Sequence, residues 1–261
     1  MPWLNLRDNI SLYYEDRGKG IPLLFIHPPV LTGVNFRYQL DELSSQFRII
    51  VPDLRGHGKS EYSPQPFTYS LIAQDIKELL DHLSIDRVFI CGYSTGGSIA
   101  LQFMLQEPKR VWGSVLMGGI SEVMKNDTRL KKNISFAAKT ADLGAGSTLA
   151  FIISSSNANN LPFFLELFKN AKQGSDRNMR EYYQYSVHYN CTKDLTKIQA
   201  PVLLLYGEKD KDFIPYGHLL HKYLPSSTIK YIPGVKHQIP TKNHKETNVL
   251  IKQFIKKQTS I

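Results

Sequence analysis

Cysteine is nearly missing from this chain: among 261 residues there are only Cys91 and Cys191. Nothing else points to an oxidising compartment, so no disulfide is expected. Cys91 ends the apolar run Val88-Phe89-Ile90-Cys91 and reads as a small buried hydrophobe. Long apolar runs are missing too, and none approaches the roughly 18 residues of a membrane span. The stretch Met1-Pro2-Trp3-Leu4-Asn5-Leu6-Arg7-Asp8 carries charge where a secretory leader needs apolar residues. The expected setting is cytoplasmic and soluble, with no membrane partner. Internal repeats and low-complexity tracts are also absent, which excludes solenoid and linker-like readings.

Acidic residues are in short supply, 23 against 32 Lys and Arg, giving a net charge of +9. Such an excess invites a nucleic-acid reading. The basic residues are scattered, however. Their local concentrations, residues 125–132 and the group Lys242, Lys245, Lys252, Lys256 and Lys257, form no recognition motif. A solvated basic surface is expected, with no nucleic-acid partner. What remains is ordinary globular composition, 42% hydrophobic and 21% charged. The length suits one large domain, or a domain with an insertion, able to bury its core without staples.

Short strand signals open the chain. Residues 10–15 and 22–26 are β-rich runs separated by Gly18-Lys19-Gly20, a pattern that predicts a hairpin. Residues 48–51 form a third run, stopped by Pro52-Asp53. Leu71, Ile72, Ile76, Leu79, Leu80 and Leu83 recur at helical spacing over 68–83. Residues 87–91, 111–117, 201–206 and 228–232 are further strand candidates. The stretch 95–106 predicts a helix closed by Pro108, and 242–257 an amphipathic helix. All-apolar strands alternating with helices argue for an α/β fold with a parallel sheet covered on both faces. From Ile120 to about Lys193 strand runs are scarce and aromatics crowd in: Phe136, Phe151, Phe163, Phe164, Phe168, Tyr182, Tyr183, Tyr185 and Tyr189. This segment reads as a mostly helical insertion over the carboxyl edge of the sheet. Its rings either shape an apolar substrate pocket or dock the insertion on the sheet.

The chemistry centres on Gly92-Tyr93-Ser94-Thr95-Gly96, which fits the G-x-S-x-G nucleophile elbow. A serine hydroxyl is a poor nucleophile and must be lifted clear of the sheet on a tight strand-to-helix turn. The flanking glycines leave room for that turn, and the following helix N-terminus favours negative charge. The base should lie downstream, after an acid. Of His188, His218, His221, His237 and His244, only His237 follows a strand candidate and a turn, Tyr231-Ile232-Pro233-Gly234-Val235-Lys236. His218 and His221 are three apart in a predicted helix, where a solvated face is the better reading than a metal site. His244 falls in the terminal helix. For the acid, Asp210 at the end of Pro201-Val202-Leu203-Leu204-Leu205-Tyr206-Gly207-Glu208-Lys209 is favoured. Asp212 and Glu208 stand close by, and Glu122 is a more distant candidate.

Together with His27-Pro28-Pro29 and Asp53-Leu54-Arg55-Gly56-His57-Gly58-Lys59-Ser60, these motifs resemble the α/β-hydrolase superfamily over nearly the whole chain, specifically its cap-bearing serine esterase-like branch. The resemblance implies a core unit of residues 1–120 and 194–261 with a helical cap at 121–193. It implies a Ser94, Asp210, His237 triad, with Thr95 N–H as one oxyanion donor and His27, Pro29 and Tyr93 at the pocket. His57 is expected to be architectural. Family members usually carry His-Gly where this chain has His27-Pro28. Neither Pro28 nor Pro29 has an N–H to donate, so the first main-chain donor after His27 is Val30. Ser94 argues against dehalogenases and epoxide hydrolases, which resemble this fold but use aspartate. The expected function is hydrolysis of an ester-like carbonyl through an acyl-enzyme at Ser94, on an apolar acyl or aromatic small molecule, with no metal and no organic cofactor. Carbon–carbon bond hydrolysis, perhydrolase or cofactor-free haloperoxidase chemistry, and a slow-turnover ligand receptor use the same scaffold.

Overall fold

Alternation along the strands builds the two faces of one sheet. In Pro22–Ile26 (β3) every side chain is buried, with Leu23 and Phe25 in one apolar cluster and Leu24 and Ile26 in the other. The structure, a computed structural model, describes residues 2–259. Met1, Ser260 and Ile261, which belong to the core unit expected from the sequence, lie outside the described residues. The remaining strands are Trp3–Asn5 (β1), Ser11–Arg17 (β2), Arg48–Pro52 (β4), Val88–Tyr93 (β5), Val111–Met117 (β6), Val202–Gly207 (β7) and Ser227–Ile232 (β8). They form one eight-stranded sheet in the order β1-β2-β4-β3-β5-β6-β7-β8, antiparallel at β1/β2 and β2/β4 and parallel elsewhere. Strands buried on both faces need the continuous apolar runs that β3, β5 and β7 carry.

Among the described residues ten α-helices accompany it: Arg37–Leu43 (α1), Tyr69–His82 (α2), Thr95–Gln106 (α3), Thr128–Asp142 (α4), Gly146–Asn157 (α5), Leu161–Ala171 (α6), Asp176–His188 (α7), Ile214–Tyr223 (α8), Ile239–Lys242 (α9) and His244–Thr259 (α10). Helices α2 and α3 cover one face through Ile72, Ile76, Leu80, Ile99 and Phe103. Leu40 and Leu43 of α1 and Ile251 and Ile255 of α10 cover the other. Thr68 caps α2, its hydroxyl accepting from Leu71 N–H at 3.1 Å. Between β6 and β7 lie α4 to α7, where a mostly helical insertion was expected. The chain leaves and re-enters at one place, Glu122 bridging to Asn190 and Cys191 N–H donating to Ser121 O at 3.0 Å.

The expected hairpin between residues 10–15 and 22–26 does not form. β4 lies between β2 and β3, pairing antiparallel with one and parallel with the other. β3 sits inside the sheet, and the apolar Ile49-Ile50-Val51 run fills its outer edge. Gly18, at φ 83°, runs against the turn before β4 instead. A Cβ there would lie 2.1 Å from Phe47 O. The terminal helix expected over 242–257 forms as α10, starting just after Asn243 at φ −139°, which separates it from the short α9. Both cysteines are buried and unpaired. Among the described residues no helix is long and apolar enough to cross a membrane.

Candidate active site

Ser94 stands between β5 and α3 at φ 54°, ψ −125°, a conformation costly for any residue with a Cβ. The surroundings hold it there. Ser94 N–H donates to Met117 O at 2.8 Å, and Gly97 N–H donates to Ser94 O at 2.9 Å. The turn closes because Gly92 and Gly96 lack side chains: a Cβ on Gly92 would lie 2.5 Å from Gly96 O, and one on Gly96 2.2 Å from Ile26 O.

Two further residues predicted from the sequence converge on this turn. His237 Nε2 is 3.0 Å from Ser94 Oγ, and its Nδ1 is 2.9 Å from Asp210 Oδ2. A carboxylate only accepts, so Nδ1 carries the proton and Nε2 is free to accept from the Ser94 hydroxyl. Asp210 is buried in the turn after β7, its N–H donating to Gly207 O at 2.9 Å. The other carboxylates are engaged elsewhere. Asp212 is exposed and paired with Arg129, Glu208 accepts from Gly234 N–H at 3.1 Å, and Glu122 accepts from Asn190 and Thr192, each at 2.7 Å. His218 and His221 are exposed on α8, bonded to Tyr231 and Ser227. His188 is exposed at the end of α7 and His244 stacks on Tyr38.

Two neighbours of His237 escaped the sequence reading. The Phe213 ring centroid lies 3.8 Å from the imidazole, with Tyr93 5.3 Å from it. Gly118, at φ 61°, packs against the imidazole, and a Cβ there would lie 2.7 Å from His237 Cε1. Its only advance signal is the Gly118-Gly119 pair directly after a buried strand.

Thr95 opens α3, and the first N–H groups of a helix have no intrahelical acceptor. Across from it runs the 27–30 loop. Pro28, Pro29 and Tyr93 line a cavity of about 240 Å³ beside Ser94 and His237, walled opposite by Ile134 and Ile153 of the insertion. Of the nine insertion aromatics only Tyr183 reaches that wall. His27 does not line the cavity, contrary to expectation. It is fully buried beneath the loop, where Nδ1–H donates to Pro28 O at 2.8 Å and Nε2 accepts from Leu54 N–H at 2.9 Å. Burial and the neighbouring His57 push its pKa down to about 3, so the ring stays neutral and keeps both bonds. Val30 is fully buried at φ 72°, and its side chain joins Ala141, Leu149, Ala150, Ala171 and Met179 of the insertion.

A family model described as alpha/beta hydrolase fold matches residues 21–237. The human protein named serine hydrolase BPHL is 24% identical over 256 residues, 95% of this chain and 84% of its own length. A non-heme chloroperoxidase of Streptomyces lividans is 26% identical over 285 residues, covering 95% of this chain and 97% of that one. Among solved structures, a thermophilic esterase from Thermogutta terrifontis superposes with a TM-score of 0.85 at 23% identity, over 98% of each chain. A bromoperoxidase from Bacillus anthracis does so with 0.87 at 24%, over 95% of this chain and 96% of that one.

Proposed function

We propose, from the premise that this chain belongs to the α/β-hydrolase fold family, that it is a serine hydrolase of the carboxylesterase type. One observation carries the reading: Ser94 Oγ, His237 and Asp210 are joined by hydrogen bonds of 3.0 and 2.9 Å at the wall of an apolar cavity. In this reading Ser94 Oγ attacks the substrate carbonyl while His237 Nε2 takes its proton. His237 returns that proton to the departing alkoxide, leaving an acyl group on Ser94. Water, deprotonated by His237, then releases the acid. Asp210 holds the tautomer and offsets the imidazolium charge. Thr95 N–H and Val30 N–H are assigned to the oxyanion. α4 to α7, within residues 121–193, act as a cap that closes the cavity over an apolar acyl group.

A second reading has support from the chloroperoxidase of Streptomyces lividans, which matches nearly end to end. In it, hydrogen peroxide replaces water in the second step and the product is a peracid. Labelling with a fluorophosphonate tests both, since each needs an activated Ser94. One adduct at Ser94, absent in Ser94→Ala, is expected. Cleavage of nitrophenyl esters without peroxide-dependent bromination of monochlorodimedone selects the esterase. Absence of an adduct overturns both.

A further inference from the structure

We infer that Tyr182, from α7, is a positioning residue that holds both halves of the oxyanion site, an inference that rests on the serine-hydrolase reading above. Its phenol is fully buried and reaches from the insertion to the two segments that carry the assigned donors. The hydroxyl donates to His27 O at 3.2 Å, at the root of the 27–30 loop. The same oxygen accepts from Thr95 Oγ1 at 3.5 Å, a long contact, on the residue following the nucleophile. One O–H group, with one proton and two lone pairs, serves both.

The ring has little freedom to move away. It stacks on Phe67 at 4.4 Å with 14° between planes, and meets Tyr69 and His57 edge-on, each at 5.8 Å. Burial raises the phenol's pKa, which keeps the donor protonated at every working pH. A second grip lies one turn earlier on the same helix face, at Met179, which shares an apolar cluster with the Val30 side chain. Val30 is β-branched at φ 72°, a conformation that persists only where surrounding contacts over-determine it. The contacts that do so come from the insertion: α7 holds the His27 carbonyl through Tyr182, and four insertion helices enclose the Val30 side chain.

Tyr182→Phe tests this, because it keeps the stacked ring and removes only the hydroxyl. Losing one oxyanion donor outright costs about 10²–10³ in kcat. Losing the tether that aligns two donors is expected to lower kcat on nitrophenyl butyrate by about 10-fold. KM should stay within about twofold, and affinity for a trifluoromethyl ketone, which forms an oxyanion on Ser94, should fall in step with kcat. A residue that merely fills the core would lower the melting temperature and leave that split untouched. Wild-type kcat in Tyr182→Phe, or a rise in KM with ketone affinity unchanged, overturns the inference while Ser94 labelling persists. Absence of labelling in the wild type overturns the hydrolase reading first, and this one with it.

Discussion

Two strained turns face each other across the cavity, and they are held in opposite ways. Ser94, at φ 54°, is fixed from within the sheet and the helix that follows it, by a hydrogen bond to β6, one from α3, and by glycines at 92 and 96. Val30, at φ 72°, has proline rather than glycine before it and is fixed from outside by α4 to α7 and the buried His27. The first turn carries its support in its own sequence. Apart from His27, the second borrows it from residues more than a hundred positions away. Strain of this kind persists only where neighbours over-determine it, so the two turns should fail under different perturbations.

The largest effect is expected on the sheet-borne arm. Asp210→Asn should lower kcat by about 10⁴, because the amide no longer selects the Nδ1–H tautomer of His237. Asp212→Asn should lie within a few-fold of wild type, since Asp212 is exposed and paired with Arg129. Steady-state kinetics of the two variants decide it, and a large loss at Asp212 would reassign the acid.

Next come the turns themselves. Gly96→Ala places a methyl 2.2 Å from Ile26 O, which is backbone and cannot swing aside, so the elbow must shift. A displacement of that size should cost about 10² in kcat. Val30→Gly relieves the positive φ but deletes a side chain buried in the insertion cluster. Strain relief of about 1–3 kcal/mol then offsets lost burial of similar size. Its melting temperature should stay near wild type while kcat falls about 10-fold, as the loop loses its anchor. Equal kinetic losses in the two variants would erase the distinction between the turns.

The smallest effect separates the arms by pH. Burial pushes His27 down to about 3 and His57 down to about 4, both beneath the loop. Folded values below the unfolded 6.5 mean that the unfolded chain binds protons first. Their contribution is therefore whole above about pH 6.5 and is lost as pH falls toward 4. At pH 5 that is about 2 kcal/mol for each imidazole. Asp53 and Asp75, raised to about 6 by burial, oppose the trend, since their folded forms keep a proton that the unfolded chain has released. Comparing His57→Gln with wild type removes that background. Between pH 7 and 5 the variant should lose about 2 kcal/mol less in urea unfolding, and parallel curves would contradict the assignment.

The same contrast governs what could be read in advance. The elbow is legible because its glycines, strand and helix are contiguous, and His237 because a strand, a turn and a histidine follow one another. Strand adjacency is not local, which is why β2 and β3 looked like a hairpin until β4 took the place between them. Gly118, Phe213 and Tyr182 acquire their roles only through close approach to distant residues. His27 carried a family expectation of pocket exposure, yet both its nitrogens are spent on the backbone.

The Ser94–His237 hydrogen bond joins positions 143 residues apart. At ~5–20 residues per second, ribosomal synthesis delivers the serine roughly 7 to 30 seconds before its partner. Within that interval α3 and then β6 supply the elbow's own supports, while the base His237 is still missing. On the serine-hydrolase reading the nascent chain thus carries a shaped serine before it carries the base. In that reading the serine gains its base only after β8, once His237 has been added.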